Sequence, residues 1–342
     1  MRAVIFLLSF LFLFPAQAES EIAERESVTA VAAAMFIGGS FSELEELAAR
    51  YRTSNARTSS GTLKYPLIYR GIWRAIGDVD KGSDEIWEHL MDKADSWIHM
   101  FPDSPTAKIA KASVILNRAG AYRGTRYIQN TPQSDLDNAV MYYRQALDYL
   151  VENSNIKAAD PRWYREMMSI YTSLGAPRES YAELLNEAIS THPRHDDFYL
   201  NATVFYTIEY GGSPKEIDNL ALLAKRNTES ERGFEMYARV YWGAPPLRDG
   251  TFYLMNDSID WEGFKKGVDA MLTKYPTQWN LNHLAFFVCM RGDWKKTKEL
   301  LARIEEPIVV SAWQSEQNFN YCKIKTDRWE QYSQGITSDT GR

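Results

Sequence analysis

Apolar residues recur every three or four positions along most of the chain, with polar residues between them. The clearest sets are Leu136, Ala139, Val140, Tyr143, Leu147 and Leu150, then Tyr181, Leu184, Leu185, Ala188 and Ile189, and then Phe264, Val268, Met271 and Leu272. Residues at this spacing lie on one face of an α-helix and form an apolar stripe along it. The pattern predicts about fifteen helices and no strand.

Three amphipathic runs end at an aromatic residue or a histidine, and a proline follows each of them. The runs cover residues 86–101, 181–192 and 264–275, and the prolines are Pro102, Pro193 and Pro276. A proline stops one helix, and the next helical run begins soon after it. Repeated junctions of this kind are typical of stacked helical hairpins. We therefore predict an all-α fold, a right-handed α-solenoid of tetratricopeptide-like hairpins without a significant β-sheet.

Helix start signals agree with the apolar stripes. Ser213, Pro214 and Glu216 have the spacing of a capping box with a proline in the first helical turn. Ser42 and Glu45 have the spacing of a second capping box. The cap-plus-proline half of the signal occurs at Ser104-Pro105 and Asp160-Pro161.

The first eighteen residues have the pattern of an export signal rather than of a folded helix. Arg2 precedes an apolar run at residues 3–14, and a small-residue cleavage site ends at Ala18. This run is shorter than the roughly 20 residues that a membrane-spanning helix needs. No comparable apolar run follows it in the sequence. We predict cleavage after Ala18 and a periplasmic or secreted protein without a membrane span.

Composition divides the rest of the sequence into four segments. Residues 243–257 include Ala244-Pro245-Pro246 and Asp249-Gly250, which interrupt a helix. The predicted segments are a helical-repeat body at residues 19–242, a loop at 243–257, a C-terminal helical-repeat block at 258–325 and a flexible tail at 326–342.

The sequence contains two cysteines, Cys289 and Cys322. They stand on the first and third of three predicted C-terminal helices, which a solenoid can bring together. In an exported protein an even cysteine count favours a disulfide. We predict a bond between Cys289 and Cys322, and two separate buried thiols are the alternative.

Charge and motifs argue against several functional classes. The full chain carries 45 acidic and 39 basic residues and has no basic block. Because phosphate contacts dominate nucleic-acid affinity, this balance argues against a nucleic-acid partner. The sequence also lacks the zincin, Walker, Rossmann and nucleophile-elbow signatures. We expect no cofactor and assign no catalytic residue.

One short cluster contains possible metal ligands. His192, His195, Asp196 and Asp197 stand close together in the sequence and have side chains that can hold a divalent ion. Pro193 and the change of element there make a helix junction the simpler interpretation. In that interpretation Asp196 or Asp197 caps the incoming helix. We predict the junction and no metal site.

Aromatic residues are abundant, with ten Trp, twenty Tyr and fifteen Phe in the chain. In helical hairpins such residues mostly fill the space between helices. A subset stands beside arginine near the ends of predicted helices, where aromatic faces and guanidinium groups suit peptides or sugars. The candidate ligand-binding residues are Tyr122, Arg123, Trp163, Tyr164, Tyr237 and Trp242. Packing within the core is the alternative for each of them.

Several short blocks rich in Arg, Tyr and Gly follow one another along the chain. They are Leu47-Ala48-Ala49-Arg50, Arg57-Thr58, Gly61, Lys64, Tyr69-Arg70-Gly71, Tyr122-Arg123-Gly124, Asp160-Pro161-Arg162-Trp163-Tyr164, Tyr210-Gly211-Gly212-Ser213 and Tyr237-Ala238-Arg239-Val240-Tyr241-Trp242. In this order they resemble the bacterial family called domain of unknown function 4034 over residues 36–325. The resemblance implies an architecture and supplies no catalytic residues. Gly292-Asp293-Trp294-Lys295-Lys296-Thr297 is similar to the start of a tetratricopeptide second helix.

Two functional hypotheses follow from these patterns. The first is a non-enzymatic scaffold of the cell envelope whose groove holds a protein or peptide partner. The second is a carbohydrate-active enzyme on an α/α-toroid, which needs two facing carboxylates beside aromatic residues. Pairs of adjacent acids occur at Glu45-Glu46, Asp196-Asp197 and Glu305-Glu306. We favour the scaffold and keep the enzyme as the alternative.

The export prediction is tested by N-terminal sequencing of the protein from its native host. We expect the mature chain to begin at Glu19, because the apolar run directs export and cleavage follows Ala18. Leu8→Arg places a charge in that run and should retain the precursor in the cytoplasm, whereas Leu8→Ile should not. Retention of Met1 on the wild-type protein in the cytoplasm would contradict the prediction.

Overall fold

The computed structural model describes residues 21–247, 249–257 and 259–333. Over these ranges the chain is all-helical, as predicted, and the sole β-type pairing is one isolated bridge between Arg57 and Leu63. None of the helices in these ranges is both long and apolar enough to cross a bilayer. The predicted export signal at residues 1–18 lies outside the described residues.

The described residues form sixteen α-helices. They are α1 (Glu21–Gly38), α2 (Phe41–Ser54), α3 (Tyr65–Ile76), α4 (Asp84–Met100), α5 (Pro105–Arg123), α6 (Gln133–Glu152), α7 (Arg162–Leu174), α8 (Arg178–Thr191), α9 (Asp197–Phe205), α10 (Pro214–Asn227), α11 (Phe234–Gly243), α12 (Trp261–Lys274), α13 (Gln278–Met290), α14 (Trp294–Leu301), α15 (Val310–Trp313) and α16 (Glu316–Ser333). Short 3-10 turns lie at Ile128–Asn130, Ser154–Ile156, Ile208–Tyr210 and Tyr253–Met255.

The three helix–proline–helix junctions share one backbone geometry. Phe101, His192 and Tyr275 precede the prolines and have φ, ψ angles of −133°, 75°, then −130°, 68°, and then −133°, 72°. Each donates its backbone N–H to the carbonyl four residues earlier, so the last helical hydrogen bond is still made. The residue before a proline is disfavoured in the α-helical region, and the helix therefore ends there. The prediction of helices on both sides of these prolines is confirmed.

Two of the predicted helix starts have the expected caps. The Ser213 hydroxyl accepts a hydrogen bond from the Glu216 N–H at 3.3 Å, which is the serine half of the capping box. The same hydroxyl donates to the Glu216 carboxylate at 3.1 Å. The Ser104 hydroxyl accepts from the Ala107 N–H at 2.9 Å at the start of α5. Local sequence is sufficient to fix these two helix ends.

The capping box predicted at Ser42 is wrong. Helix α2 begins at Phe41, with Ser40 at the N-cap position, so Ser42 is already inside the helix. The carboxylate of Glu45 instead accepts hydrogen bonds from Trp97 Nε1, at 2.9 Å, and from the Ser104 hydroxyl. The side chain that the local pattern assigned to the cap therefore makes tertiary hydrogen bonds instead.

The loop predicted at residues 243–257 lies between two helices that are in contact. Helices α11 and α12, which flank it, pack directly against each other. Tyr253 and Leu254 within the segment are buried, and one cluster of buried apolar residues extends from α1 to α16. Tyr253 and Leu254 therefore connect this segment to the buried cluster.

The C-terminal helices are held together near the two cysteines. The sulfur atoms of Cys289, in α13, and Cys322, in α16, lie at disulfide-bonding distance, and their Cα atoms are 5.9 Å apart, as the disulfide prediction requires. Helix α16 continues to Ser333, so the tail predicted to be flexible from residue 326 is helical as far as that residue. Thr326 is buried there and Glu330 pairs with Lys298, contacts that the polar composition did not reveal. Residues 334–342 of that predicted tail lie outside the described residues.

Asp160, just before α7, is completely buried and is the centre of a polar network. Its carboxylate accepts hydrogen bonds from the Tyr65 hydroxyl, from the Tyr69 hydroxyl at 2.7 Å and from the Arg162 N–H at 2.9 Å. Arg52 pairs with the same carboxylate at 2.9 Å. Burial and the charge of Asp160 raise the pKa values of Tyr65 and Tyr69 well above their usual range, so both hydroxyls remain donors. The network joins α2, α3 and α7.

Replacing Asp160 by Asn should destabilise the protein strongly. The amide cannot serve all four donors, and the Arg52 charge loses its buried partner, a change that typically costs about 3–5 kcal/mol. Asp269→Asn is the matched control, because Asp269 pairs with Lys296 at the surface and such pairs contribute about 0–1 kcal/mol. Urea unfolding of the two variants measures the difference. Equal losses of stability would contradict a structural role for the Asp160 network.

Candidate functional site

A cavity of about 470 Å³ lies where α1, α3, α7, α9 and α11 meet the loop formed by residues 55–64, here called the pocket loop. Its charged lining consists of Arg25, Arg70, Arg162, Arg165, Arg232, Arg239, Asp196 and Asp197. We call this cavity the arginine pocket. Such a concentration of guanidinium groups is unexpected in a chain whose net charge is −6.

The pocket loop is fixed by hydrogen bonds to helices that are distant in sequence. The Ser60 carbonyl accepts from Arg239 Nη2 at 2.6 Å and from Asn280 Nδ2 at 3.1 Å. Next to it, Gly61 has a φ of +89°, and a Cβ atom there would lie 2.5 Å from Arg239 Nη2. Only glycine fits this backbone conformation and this space. The loop therefore positions Arg239 at the wall of the pocket.

The buried carboxylate of Glu21 holds the other side of the pocket loop. It accepts hydrogen bonds from the Ser60 N–H at 3.0 Å, from the Thr58 hydroxyl at 2.8 Å and from Arg25. These hydrogen bonds outweigh the effect of burial and lower the pKa of Glu21. Arg25 also donates to the Thr62 hydroxyl at 2.8 Å, which orients its guanidinium along the pocket.

The sequence predicted that Asp196 or Asp197 caps α9, and Asp196 lies at the N-cap position but makes no side-chain cap hydrogen bond. No backbone N–H of the first helical turn bonds to its side chain, and the carboxylate instead pairs with Arg57 at 2.9 Å and with Arg232. No cluster of three or more metal-ligating side chains occurs among the described residues, and the 192–197 segment is a helix junction. The junction was predicted, but the use of Asp196 as the partner of two arginines was not.

Two of the lining arginines share a single carboxylate. Arg232 donates to Glu235, and Arg239 Nε donates to the same oxygen at 2.8 Å. Burial and the charges of Arg239 and Arg57 lower the pKa of Arg232 to about 10, although the hydrogen bond to Glu235 opposes this. Burial also lowers the pKa of Arg239. Both guanidinium groups stay protonated at neutral pH. They therefore repel each other, which costs the folded protein free energy.

A second pair of arginines enters the pocket from the first turn of α7. Arg162 is buried and donates to Glu166 at 2.7 Å, with its guanidinium 5.1 Å from the Tyr69 ring centroid. Arg165 lies 3.7 Å from the other Glu166 oxygen and donates to the Ser169 hydroxyl at 3.3 Å. Burial and the charge of Arg162 lower the pKa of Arg165. One carboxylate again serves two guanidinium groups.

Positive charge exceeds negative charge at this site. Together with Arg57 and the carboxylates that pair with the lining, the arginine pocket brings together seven arginines and five acids, a difference of two. Nε of Arg232 is buried and has no hydrogen-bond partner. Among the described residues, exposed Arg70 at the pocket edge makes no hydrogen bond or ion pair. The site can therefore accept an anion that the protein itself does not supply.

Most of the uncharged lining of the arginine pocket is apolar. Its apolar lining consists of Leu63, Pro66, Leu67, Trp73 and Leu200. Trp73 is 41% exposed, whereas Trp87, Trp97 and Trp313 are buried, so its ring is available at the pocket edge. A ligand for this pocket therefore combines an anionic group with an apolar one.

Three of the candidate binding residues from the sequence are buried within the helix layers. Trp163 donates its indole N–H to the Leu150 carbonyl at 2.9 Å. The Tyr164 hydroxyl donates to Glu187 at 3.0 Å, and the Tyr237 hydroxyl donates to Asp218 at 2.9 Å. None of the three lines the arginine pocket. Their polar groups are used inside the protein.

The other three candidates are partly exposed and lie in two places. Trp242 packs against His283, with ring centroids 4.9 Å apart. Tyr122 stacks on Tyr142, and Arg123 Nη1 donates to the Arg126 carbonyl at 2.7 Å. Tyr122 and Arg123 line a second cavity, which shares Trp73 with the arginine pocket. The structure therefore brings these two together and leaves Trp242 elsewhere.

The acid pairs of the enzyme hypothesis occupy different environments. Glu45 accepts from Trp97 and Ser104, as described for α2. Asp196 is paired with two arginines, and its neighbour Asp197 lines the arginine pocket. Glu305 and Glu306 are exposed.

The arginines of the pocket were missed because sequence reasoning had treated them as parts of other motifs. Four of the blocks that carry the family resemblance each contribute a guanidinium group to the site: Arg57-Thr58, Tyr69-Arg70-Gly71, Asp160-Pro161-Arg162 and Tyr237-Ala238-Arg239. The arginine in each of these four blocks was the available signal. The blocks are far apart in the sequence, so the sequence alone does not show that their arginines meet in the folded protein.

Comparison with known proteins adds no assignment. No family model matches the chain, and neither a curated protein nor a solved structure matches it. The resemblance to domain of unknown function 4034 therefore stays a prediction.

Beside the arginine pocket, buried His195 makes stability depend on pH. Burial, opposed by the charges of Asp197 and Asp160, lowers the pKa of His195 from 6.5 to about 4. The unfolded chain therefore binds a proton between these values while the folded protein does not, and stability falls with falling pH. The loss should reach about 2 kcal/mol at about pH 5 for this residue.

Urea unfolding at several pH values measures this effect, and His195→Phe should remove it while filling the same space. His283, whose pKa is also lowered to about 4 by burial, remains in the variant and contributes a similar slope. The slope between about pH 6.5 and 5 should therefore be roughly halved. Below that window the carboxylates with lowered pKa values, Glu21 and Glu235, begin to lose their contribution in both proteins. An unchanged slope would show that His195 is protonated in the folded state.

Proposed function

We propose that this protein is a non-enzymatic binding protein of the cell envelope, and that its arginine pocket captures an acidic group of a protein or peptide partner. The observation that carries the proposal is the positive surplus of the pocket, with exposed, unpaired Arg70 beside the apolar surface of Trp73. Guanidinium groups bind carboxylates through paired, charge-assisted hydrogen bonds.

The scaffold in this proposal is a curved array of helical hairpins. It is supported by the common backbone geometry at Phe101, His192 and Tyr275. Curvature is supported by two contacts between the start and the end of the array: the Ser60 carbonyl with Asn280, and the Arg25 guanidinium 5.4 Å from the Trp279 ring centroid. In such an array the pocket loop lies on the inner surface, where solenoid proteins bind partners.

The chemistry of the pocket favours an acidic peptide over a simple inorganic anion. An anion alone would use the guanidinium groups and leave Leu67, Leu200 and Trp73 without a partner. An acidic side chain next to an apolar one in a peptide contacts both surfaces. The chain as a whole has a net charge of −6, so the positive surplus of the arginine pocket favours this site for an anionic ligand.

Calorimetric titration with acetyl-Ala-Glu-Leu-amide tests the proposal. The wild-type protein should bind this peptide, and acetyl-Ala-Gln-Leu-amide, which has the same shape and no charge, should bind much more weakly. Arg70→Ala should weaken binding of the acidic peptide at least about tenfold, because one charge-assisted hydrogen bond is lost. Since Arg70 has no partner in the protein, its removal should not change the melting temperature.

Arg74→Ala is the matched control for this experiment. Arg74 lies one turn further along α3, is exposed, pairs with Glu26 and does not line the pocket. Its removal should leave peptide binding unchanged. Equal binding of the Glu and Gln peptides, or equal effects of the two arginine variants, would refute the proposed role of the arginine pocket.

A further inference from the structure

The arginine pocket shares one lining residue, Trp73, with a second cavity. This second cavity has a volume of about 520 Å³ and is formed by the end of α3, the turn at residues 77–81, the end of α5 and the segment from 124 to 135. Trp73 lines both cavities. A single ligand that fills both cavities would therefore contact the exposed indole ring.

The second cavity differs in charge from the arginine pocket. Its lining contains three acids and three bases: Asp78, Asp80, Asp135, Lys81, Arg123 and Arg126. Lys81 pairs with Asp135. Asp78, Asp80 and Arg126 are exposed, and both signs of charge are accessible to a ligand. This lining suits a polar chain of mixed or neutral character rather than a second concentrated anion.

We propose that the two cavities are subsites for one extended peptide, with its acidic side chain in the arginine pocket, its backbone crossing Trp73 and its following residues in the second cavity. This inference rests on the proposed function and names the ligand more closely. It also gives Tyr122 and Arg123, which the sequence singled out, a common position along the ligand.

A peptide fits this pair of cavities better than an acidic polysaccharide does. Every unit of a uronic-acid chain carries a carboxylate, and those beyond the arginine pocket would meet Asp78 and Asp80. A peptide can place its negative charge at one position and present amide groups elsewhere. Aromatic faces such as that of Trp73 also contact a peptide backbone or side chain without a requirement for charge.

The test compares ligands of two lengths. The short ligand is acetyl-Ala-Glu-Leu-amide, and the long ones add about six Ser, Lys and Asp residues at its amino or its carboxyl end, a reach of about 20 Å. One of the two long peptides should bind about tenfold more tightly than the short one. A hexamer of a uronic acid should show no such gain over its dimer.

Gly120 allows the second cavity to be closed selectively. It lines this cavity in α5, and a Cβ atom added there meets no other atom within 4 Å. Gly120→Trp should fill the space and abolish the gain of the long peptide, while leaving binding of the short peptide unchanged. Gly120→Ala adds only a methyl group and should keep the gain. Arg126→Ala provides a second variant, which should reduce the gain about 3-fold without a change in short-peptide binding.

The outcomes separate this inference from the proposed function. If the short peptide binds and neither extension increases the affinity, the inference of an extended groove is wrong. The proposed role of the arginine pocket is then unaffected. An equal gain for the uronic-acid hexamer overturns the peptide assignment. If the long peptide still binds Gly120→Trp about tenfold more tightly than the short one, its additional contacts lie outside the second cavity. That result also overturns the inference. Absence of binding by all ligands refutes the proposed function itself.

Discussion

The carbonyl oxygen of Ser60 is the acceptor on which the organisation of the site depends. It receives hydrogen bonds from Arg239 in α11 and from Asn280 in α13. A single backbone atom therefore ties the pocket loop to helices near the other end of the chain. The loop in turn carries Arg57, which pairs with Asp196 at the start of α9. Without this acceptor the pocket loop would not be tied to α11 and α13. The repulsion between the arginines would then favour their separation.

The helices could be predicted from the sequence because the signals that start and stop them are local. An apolar stripe, a capping serine such as Ser213 and a proline after Tyr275 act within one or two helical turns. The prediction failed where a distant group competed for the same side chain. Glu45 bonds to Trp97 instead of its own helix, and Asp196 bonds to arginines instead of the α9 backbone. Local patterns contain no information about such competitors.

The site was less predictable than the fold, because exposure decides function and sequence patterns do not reveal exposure. Trp73 and Trp163 are both tryptophans near arginines, yet the first is 41% exposed and the second 5%. Arginine was also misleading, since its charge is usually associated with the surface. Here Arg162 and Arg232 are buried and held by carboxylates. Their convergence depends on tertiary contacts that span most of the chain.

The identity of the central acceptor has a genetic consequence. Because the oxygen belongs to the backbone, no amino-acid substitution at Ser60 removes it, and every residue type at that position has the same acceptor. Mutational sensitivity is therefore displaced to the residues around it. Gly61 has no space for a side chain, and Arg239 and Asn280 supply the donors. In a map of tolerated substitutions, position 60 itself would therefore tolerate change. The importance of its carbonyl would be inferred from the few substitutions tolerated at these three neighbours.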